Sequence, residues 1–310
     1  MSFYRPALRA RMRGLASRPW AVRPQLALGS LPPPVLPLLG MATVQFGAAL
    51  GKSLFASLSP GGVVFLRVGS AALILLLVWR PRLHGYSRGQ YATAALFGLV
   101  LAAMNFSFYE AIARLPLGIA VALEFTGPLG VAVAGSRRVL DVAWVILAAA
   151  GIILLAPWTG SRLDPLGIVF ALAAGALWAA YILLSARTGR AFSGATGLVL
   201  AMSVAAVLLA PVGILNGGGR LLNPSVLLIG VAVGILSSVI PYSLELEALR
   251  QLPARVFGIL MSMEPAIAAL VGFLTLREAL DARALTAVAL VTVASLGATR
   301  NQKSAEPPEP

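Results

Sequence analysis

The stretch from Tyr109 to Pro128, YEAIARLPLGIAVALEFTGP, aligns without a gap to Leu246 to Pro265, LEALRQLPARVFGILMSMEP. Glu110 falls on Glu247, Ala111 on Ala248, Leu115 on Leu252, Pro116 on Pro253, Leu123 on Leu260 and Pro128 on Pro265. Leu140-Asp141 and Leu280-Asp281 add a looser match further along. Internal repetition fixes architecture before any motif is considered. Each copy follows one plan: an acid near the end of an apolar segment, a short proline-bearing connection, then a second apolar segment with a proline deep inside it.

Working outward, the flanking residues decide the solvent in which the chain folds. A helix needs about 20 mainly apolar residues to cross a bilayer. Segments 35–57, 61–79, 91–112, 117–135, 140–157, 166–186, 194–214, 226–247, 254–275 and 283–299 meet that requirement. The 310 residues are 59% hydrophobic and 11% charged, whereas soluble domains carry about 25% charged residues. Unpaired backbone groups are costly in hydrocarbon, so continuous apolar runs of this length form helices, not the alternating strands of a barrel.

The expected fold is an all-α membrane protein of ten transmembrane helices. Five spans per half is an odd number, so the second half enters the membrane from the opposite side. That predicts two inverted five-helix repeats, 35–157 and 158–300, between tails at 1–34 and 301–310. Inverted repeats suit a carrier, since two similar arrangements of unlike halves supply states open to either side of one central site. Pro128 and Pro265 each remove a backbone hydrogen bond and favour kinks near the midplane. Gly47 with Gly51, and Gly230 with Gly234, have the spacing of close helix contacts.

The net charge of +13 is explained by sidedness. With ten spans, most of the 24 basic residues lie on the side that holds both termini, and only Arg114, Arg162, Arg220, Arg277 and Arg283 fall in the opposite loops. The positive-inside rule then makes both termini cytoplasmic, and no nucleic-acid partner is needed. Residues 1–34, rich in Arg and Pro, lack the apolar core and cleavage site of a signal peptide and read as a disordered cytoplasmic tail. The absence of cysteine and a single His84 exclude thiol chemistry and an imidazole metal cluster. Gly217 to Arg220 lacks the strand and GK[ST] of a phosphate-binding loop. No catalytic cluster is visible, so neither an enzyme nor a cofactor is expected.

Of the 11 acidic residues, Glu110, Glu124, Glu245, Glu247 and Glu264 lie within spans. Holding a charge at the bilayer centre costs about 2.5–3.5 kcal/mol on insertion scales, so each needs a partner, a polar cavity or a proton. Glu264 lies near the middle of its span and Glu124 roughly two residues from the middle of its own. Lys52 and Arg67 fall at a similar depth. A cation there holds a substrate carboxylate while a glutamate holds an ammonium, the pairing a zwitterion requires. Alternatively Lys52 snorkels to the interface and Arg67 pairs permanently with a glutamate. A carboxyl group out of water can also carry protons, and if ammonium and proton compete for one glutamate, antiport follows. Glu124 and Glu264 are therefore the candidates for proton coupling. Glu110 and Glu247, at equivalent repeat positions near span ends, are candidates for gating, for instance with Arg114 and Arg250. Asn105 and Tyr242 coincide on the repeat alignment, and they join Tyr109 as candidate substrate contacts or packing residues. Trp144, Trp158 and Trp178 suit interfacial or core packing.

The strings LGIAVALEFTGPL (117–129), SRRVLD (136–141), IPYSLELEAL (240–249) and LMSMEPAIAAL (260–270), with QFGAALGKSLF (45–55), resemble the EamA-type exporters of the drug/metabolite transporter superfamily. Within them the likeness is to amino-acid exporters of the threonine/homoserine type. The resemblance covers roughly 35–300 and implies an inner-membrane carrier of small neutral amino acids driven by a proton gradient. It marks Lys52, Arg67, Asn105, Glu124, Tyr242 and Glu264, which stand in matching strings, without giving each a role. The expected partners are a small amino acid, protons and the lipid bilayer, and a homodimer is neither required nor excluded. The alternative is export of another metabolite or a cationic drug. Against it, the chain is only 7% aromatic and is expected to place few rings near the midplane.

Overall fold

The computed structural model describes residues 32–81, 84–134, 139–155, 163–192, 195–241, 244–245, 248, 252, 257 and 260–301. All regular structure among them is helical. The helices are α1 (Val35–Ser53), α2 (Pro60–Trp79), α3 (Arg88–Ile112), α4 (Leu117–Glu124), α5 (Thr126–Ala134), α6 (Val139–Leu155), α7 (Pro165–Ala191), α8 (Thr196–Gly217), α9 (Pro224–Gly234), α10 (Glu264–Leu276) and α11 (Ala282–Asn301). A π-helical turn, Ile235–Val239, continues α9.

Local sequence sets the helix starts. Pro60, Pro165 and Pro224 occupy first-turn positions where a missing N–H costs nothing. The side chains of Ser59, Asp164 and Asn223 just before them accept from free backbone N–H groups. Ser87 and Gln90 form a reciprocal capping box at the start of α3.

α1 with its 3₁₀ extension Leu54–Ala56, α2, α3, α7, and α8 with its 3₁₀ extension Gly218–Leu222 are long and apolar enough to cross a membrane. The span expected at 117–135 divides at Phe125 into α4 and α5, and the one expected at 254–275 has a turn at Ser262-Met263 immediately before α10. Each break lies just N-terminal to a proline, Pro128 or Pro265, whose ring cannot donate to the carbonyl one turn back. The expected kinks thus correspond to short interruptions of the helix, of one residue at Phe125 and two at Ser262-Met263. In the first, Gly127 lets two backbones meet: a Cβ there would come within 1.9 Å of the Gly175 carbonyl oxygen on α7.

The principal packing pairs are α3 with α7, α2 with α8, α6 with α11, α3 with α8, α4 with α10, α5 with α7, α2 with α9, and α1 with α10 and the π turn. The outward faces carry Leu77, Ile146, Val207, Leu215, Leu228 and Phe273, all exposed. Such a surface matches lipid, not water. Here the near end of the bundle is the one at which α1 begins and α11 finishes, and the far end is its opposite.

Candidate functional site

Between the helices lies a cavity of about 480 Å³. Its polar wall is made by Gln45 of α1, Arg67 of α2, Asn105 of α3, Glu124 ending α4, Ser237 of the π turn, Glu245, and Ser262 and Glu264 at the second helix break. Both breaks therefore deliver an acid to the same space. Phe125 at the first break, Pro128, Leu129 and Val131 of α5, Ile182 of α7 and Phe257 carry the lining on toward the near end.

Glu124 and Glu264 are buried, at 9% and 6% exposure. Gln45 Nε2 donates to Glu264 Oε1 at 3.0 Å, and Glu264 Oε2 has no hydrogen-bond partner among the described residues. Glu124 lies within electrostatic reach of both Glu264 and Arg67, and Glu264 within reach of Glu245. Arg67 donates from Nη2 to the Ser237 carbonyl at 3.2 Å, and its guanidinium stands 5.4 Å from the Tyr109 ring centre. Among the described residues neither Arg67 nor any of these three glutamates has an ion-pair partner within 4 Å. A guanidinium and several carboxyls thus face one cavity without neutralising one another pairwise.

The far end is closed differently. Lys52 Nζ contacts Glu278 Oε1 at 2.6 Å and the Leu115 carbonyl at 2.7 Å, and Glu278 Oε2 accepts from the Leu117 N–H at 2.7 Å. This clasp joins the end of α1, the α3–α4 connection and the segment after α10. Arg114 pairs with Glu110 one turn back and approaches Asp164 Oδ2 at 3.6 Å. Arg220 reaches the Ser57 carbonyl at 3.1 Å.

The structure accordingly brings Arg67, Asn105, Glu124 and Glu264 together and sets Lys52 outside the cavity lining. Tyr109 is fully buried behind Arg67, its ring edge-on to Phe55. Tyr242, Glu247, Arg250 and Trp158 lie outside the described residues. The expectation of few aromatic rings near the midplane is overturned: Phe108, Phe125, Trp178 and Tyr181 line the cavity, with Phe125 and Trp178 edge to face. α3 contributes one ring, α7 two and the α4–α5 break one, so a low overall aromatic content says nothing about local density. Gln45, Ser237 and Glu278 carried no role in the sequence reading. Gln45 had a signal, as an amide inside an apolar run; Ser237 and Glu278 had none, because their partners are distant in sequence.

A helical bundle with a lipid-matched exterior and a cavity lined by charged, polar and apolar groups has the makings of a membrane transporter. Comparison with known proteins gives the family. Residues 165–300 match the EamA-like transporter family. The threonine/homoserine exporter RhtA of Escherichia coli K12 is 44% identical over 269 residues, covering 86% of this chain and 91% of the relative. RhtA of Salmonella typhimurium LT2 gives the same figures, and the uncharacterized transporter YwfM of Bacillus subtilis is 26% identical over 79% of this chain and 86% of its own. A solved crystal structure shares the fold with TM-score 0.52 at 20% identity, over 84% of this chain and 96% of that one. The chain belongs to the EamA-like transporter family and is a multi-pass protein of the bacterial inner membrane.

Proposed function

We propose that this chain exports small neutral amino acids of the threonine/homoserine type, exchanging them for protons by alternating access. The observation that carries the reading is the cavity that brings one guanidinium, Arg67, and buried carboxyls to one space without an ion pair among the described residues. A zwitterion satisfies both. Its carboxylate takes the Arg67 fork, while its ammonium takes the free oxygen of Glu264 with Glu124 beside it. Asn105 borders the same space. The names of the RhtA relatives support the substrate class.

The chain crosses the membrane ten times as inverted repeats, 35–157 and 158–300, with both termini cytoplasmic. The packing supports this. Exchange α1 with α7, α2 with α8, α3 with α9, the α4–α5 unit with α10, and α6 with α11. Then α2–α8, α6–α11 and α4–α10 map onto themselves, α3–α7 maps onto α9–α1, α3–α8 onto α9–α2, and α5–α7 onto α10–α1. In that topology the near end is cytoplasmic, and the structure corresponds to a state ready to load from inside. The Lys52–Glu278 clasp, aided by Arg114 between Glu110 and Asp164, closes the periplasmic end. Proton and ammonium compete for Glu264 and Glu124, so one leaves as the other binds.

The test uses liposomes loaded with labelled threonine under an imposed pH gradient. External acid should accelerate efflux by the wild type, whereas Glu264→Gln, which leaves Glu124 alone to meet the ammonium, should exchange substrate only at raised concentration and lose the acceleration. Full gradient-driven efflux by that variant would remove Glu264 from coupling. A second reading, export of an organic cation, is favoured by the aromatic wall of Phe108, Phe125, Trp178 and Tyr181 beside an excess of acids. It predicts that a lipophilic cation outcompetes threonine in the same liposomes.

A further inference from the structure

We infer that Tyr109 is an inner gate of the carrier: its ring, seated in a notch on α1 made by Gly51, closes the far side of the cavity inside the Lys52–Glu278 clasp. The inference rests on the transport reading above and gives Tyr109 a part other than substrate contact.

The first observation is a layer of small residues. Ala48, Arg67, Asn105, Glu124 and Glu264 line the cavity from five helices. One turn toward the far end, on the same helix faces, stand Gly51 of α1, Val64 of α2, Tyr109 of α3, Ala120 of α4 and Ala268 of α10. None of these five lines the cavity; Gly51 is buried and the other four are 0% exposed. Val64, Tyr109, Ala120 and Ala268 belong to one packed core. Packed helices lie about 8–10 Å apart, and glycine, alanine and valine reach only a short way into such a gap. Tyrosine is the one large side chain among the five, so a single ring carries the closure of this layer.

The second observation is how that ring is seated. A Cβ built on Gly51 would come within 2.9 Å of the Tyr109 hydroxyl oxygen, 3.1 Å of Cε1 and 3.3 Å of Cζ. Glycine at 51 is what lets the ring reach α1. The ring is also held from other sides: Phe55 meets it edge-on at 6.2 Å, and the Arg67 guanidinium stands 5.4 Å from its centre. Gly51 and Lys52 are neighbours on α1, while α3 carries Tyr109 and leads to Leu115, whose carbonyl the clasp holds. Two closures therefore lie in series between the same two elements, the ring inside and the ion pair outside.

The contact with Arg67 ties the inner closure to the binding site. The guanidinium that is to take the substrate carboxylate packs on the gating ring, so it cannot move toward a ligand without changing what supports the ring. Leakage across the far end then requires that both closures fail together.

The experiment reads proton leakage in liposomes without amino acid, with an imposed pH gradient followed by a trapped dye. The wild type, Tyr109→Ala and Glu278→Ala should each hold the gradient, since one closure remains in every case. Tyr109→Ala combined with Glu278→Ala should lose it, and Tyr109→Phe combined with Glu278→Ala, which keeps the ring, should hold it. Gly51→Ala with Glu278→Ala displaces the ring without deleting it and should also leak; adding Tyr109→Phe removes the atom nearest the new Cβ and should reseal the protein. This second series decides the matter where Tyr109→Ala does not fold, as judged by elution in detergent. A tight Tyr109→Ala, Glu278→Ala protein that elutes as the wild type does overturns the inference, and so does a tight Gly51→Ala, Glu278→Ala protein. Glu278→Ala leaking as fast by itself overturns it too. All three outcomes leave the transport reading standing if the wild type carries threonine in counterflow, whereas a wild type that carries no amino acid but shows the expected pattern of leaks overturns the transport reading alone.

Discussion

If the Lys52–Glu278 clasp holds the far end shut, weakening it must raise the population of the outward-open state. Lys52 is 20% and Glu278 14% exposed, so the contact is mostly shielded and is bonded at both ends: the ammonium also binds the Leu115 carbonyl, and the carboxylate also caps the Leu117 N–H. Hydrogen bonds to charged groups contribute about 1.5–3 kcal/mol. Glu278→Gln keeps an acceptor for Leu117 but removes the charge, so the lower figure applies, and about 1.4 kcal/mol shifts a two-state equilibrium tenfold. Glu278→Ala removes both contacts and should shift it further.

The chain has no cysteine, so a single introduced one reports without background. Ala120 is fully buried, one turn outward from Glu124 on the same face of α4, behind the clasp. An impermeant maleimide added at the far side should label Ala120→Cys about tenfold faster in the Glu278→Gln background, and faster again with Glu278→Ala. Ser57→Cys, exposed at the same end, should label alike in every background. Unchanged labelling of Ala120→Cys in both variants would show that the clasp does not hold the far end.

Two further outcomes follow from the geometry. Gly127→Ala should cost at least about 3 kcal/mol, because its Cβ would meet the Gly175 carbonyl and not a movable side chain. Gly130→Ala, three residues on with nothing within 4 Å of its Cβ, should be tolerated or slightly stabilising, and thermal unfolding in detergent compares the two. Arg67→Lys keeps the charge but loses the planar fork that meets Ser237 and Tyr109, so the KM for threonine should rise about tenfold with little change in maximal rate. An unchanged KM would detach Arg67 from the substrate.

Hydropathy and the repeat made the helices and the acids at mid-depth legible, because lipid imposes a single strong requirement on every crossing segment. Pro128 and Pro265 announced interruptions, and the structure has them. Depth along a helix could be counted, but direction around it could not. Lys52 and Arg67 have similar depths, and only the fold separates a cation facing Glu278 from one facing the cavity. The pairing of Lys52 with Glu278 spans most of the chain and leaves no local trace. Ser237 was invisible for a different reason: a π turn depends on packing, and a serine in a helix is otherwise unremarkable.

The distribution of pairing is itself informative about mechanism. Lys52, Glu278, Arg114, Glu110 and Asp164, all at the far end, are engaged with one another, whereas Arg67, Glu124, Glu245 and Glu264 face the cavity without ion pairs among the described residues. If charge in this bundle served only cohesion, the cavity groups would be the ones to pair, since desolvation makes an isolated charge most costly there. The reverse arrangement suits a carrier. Contacts that must form and break once per cycle belong at a gate. A binding site must leave its charges open to a ligand that arrives with both signs, and it can hold protons on its carboxyls in the meantime. The two helix breaks serve the same end: each proline follows an interruption beside an acid, so irregular backbone and acids without ion pairs among the described residues coincide at the cavity proposed to take the substrate.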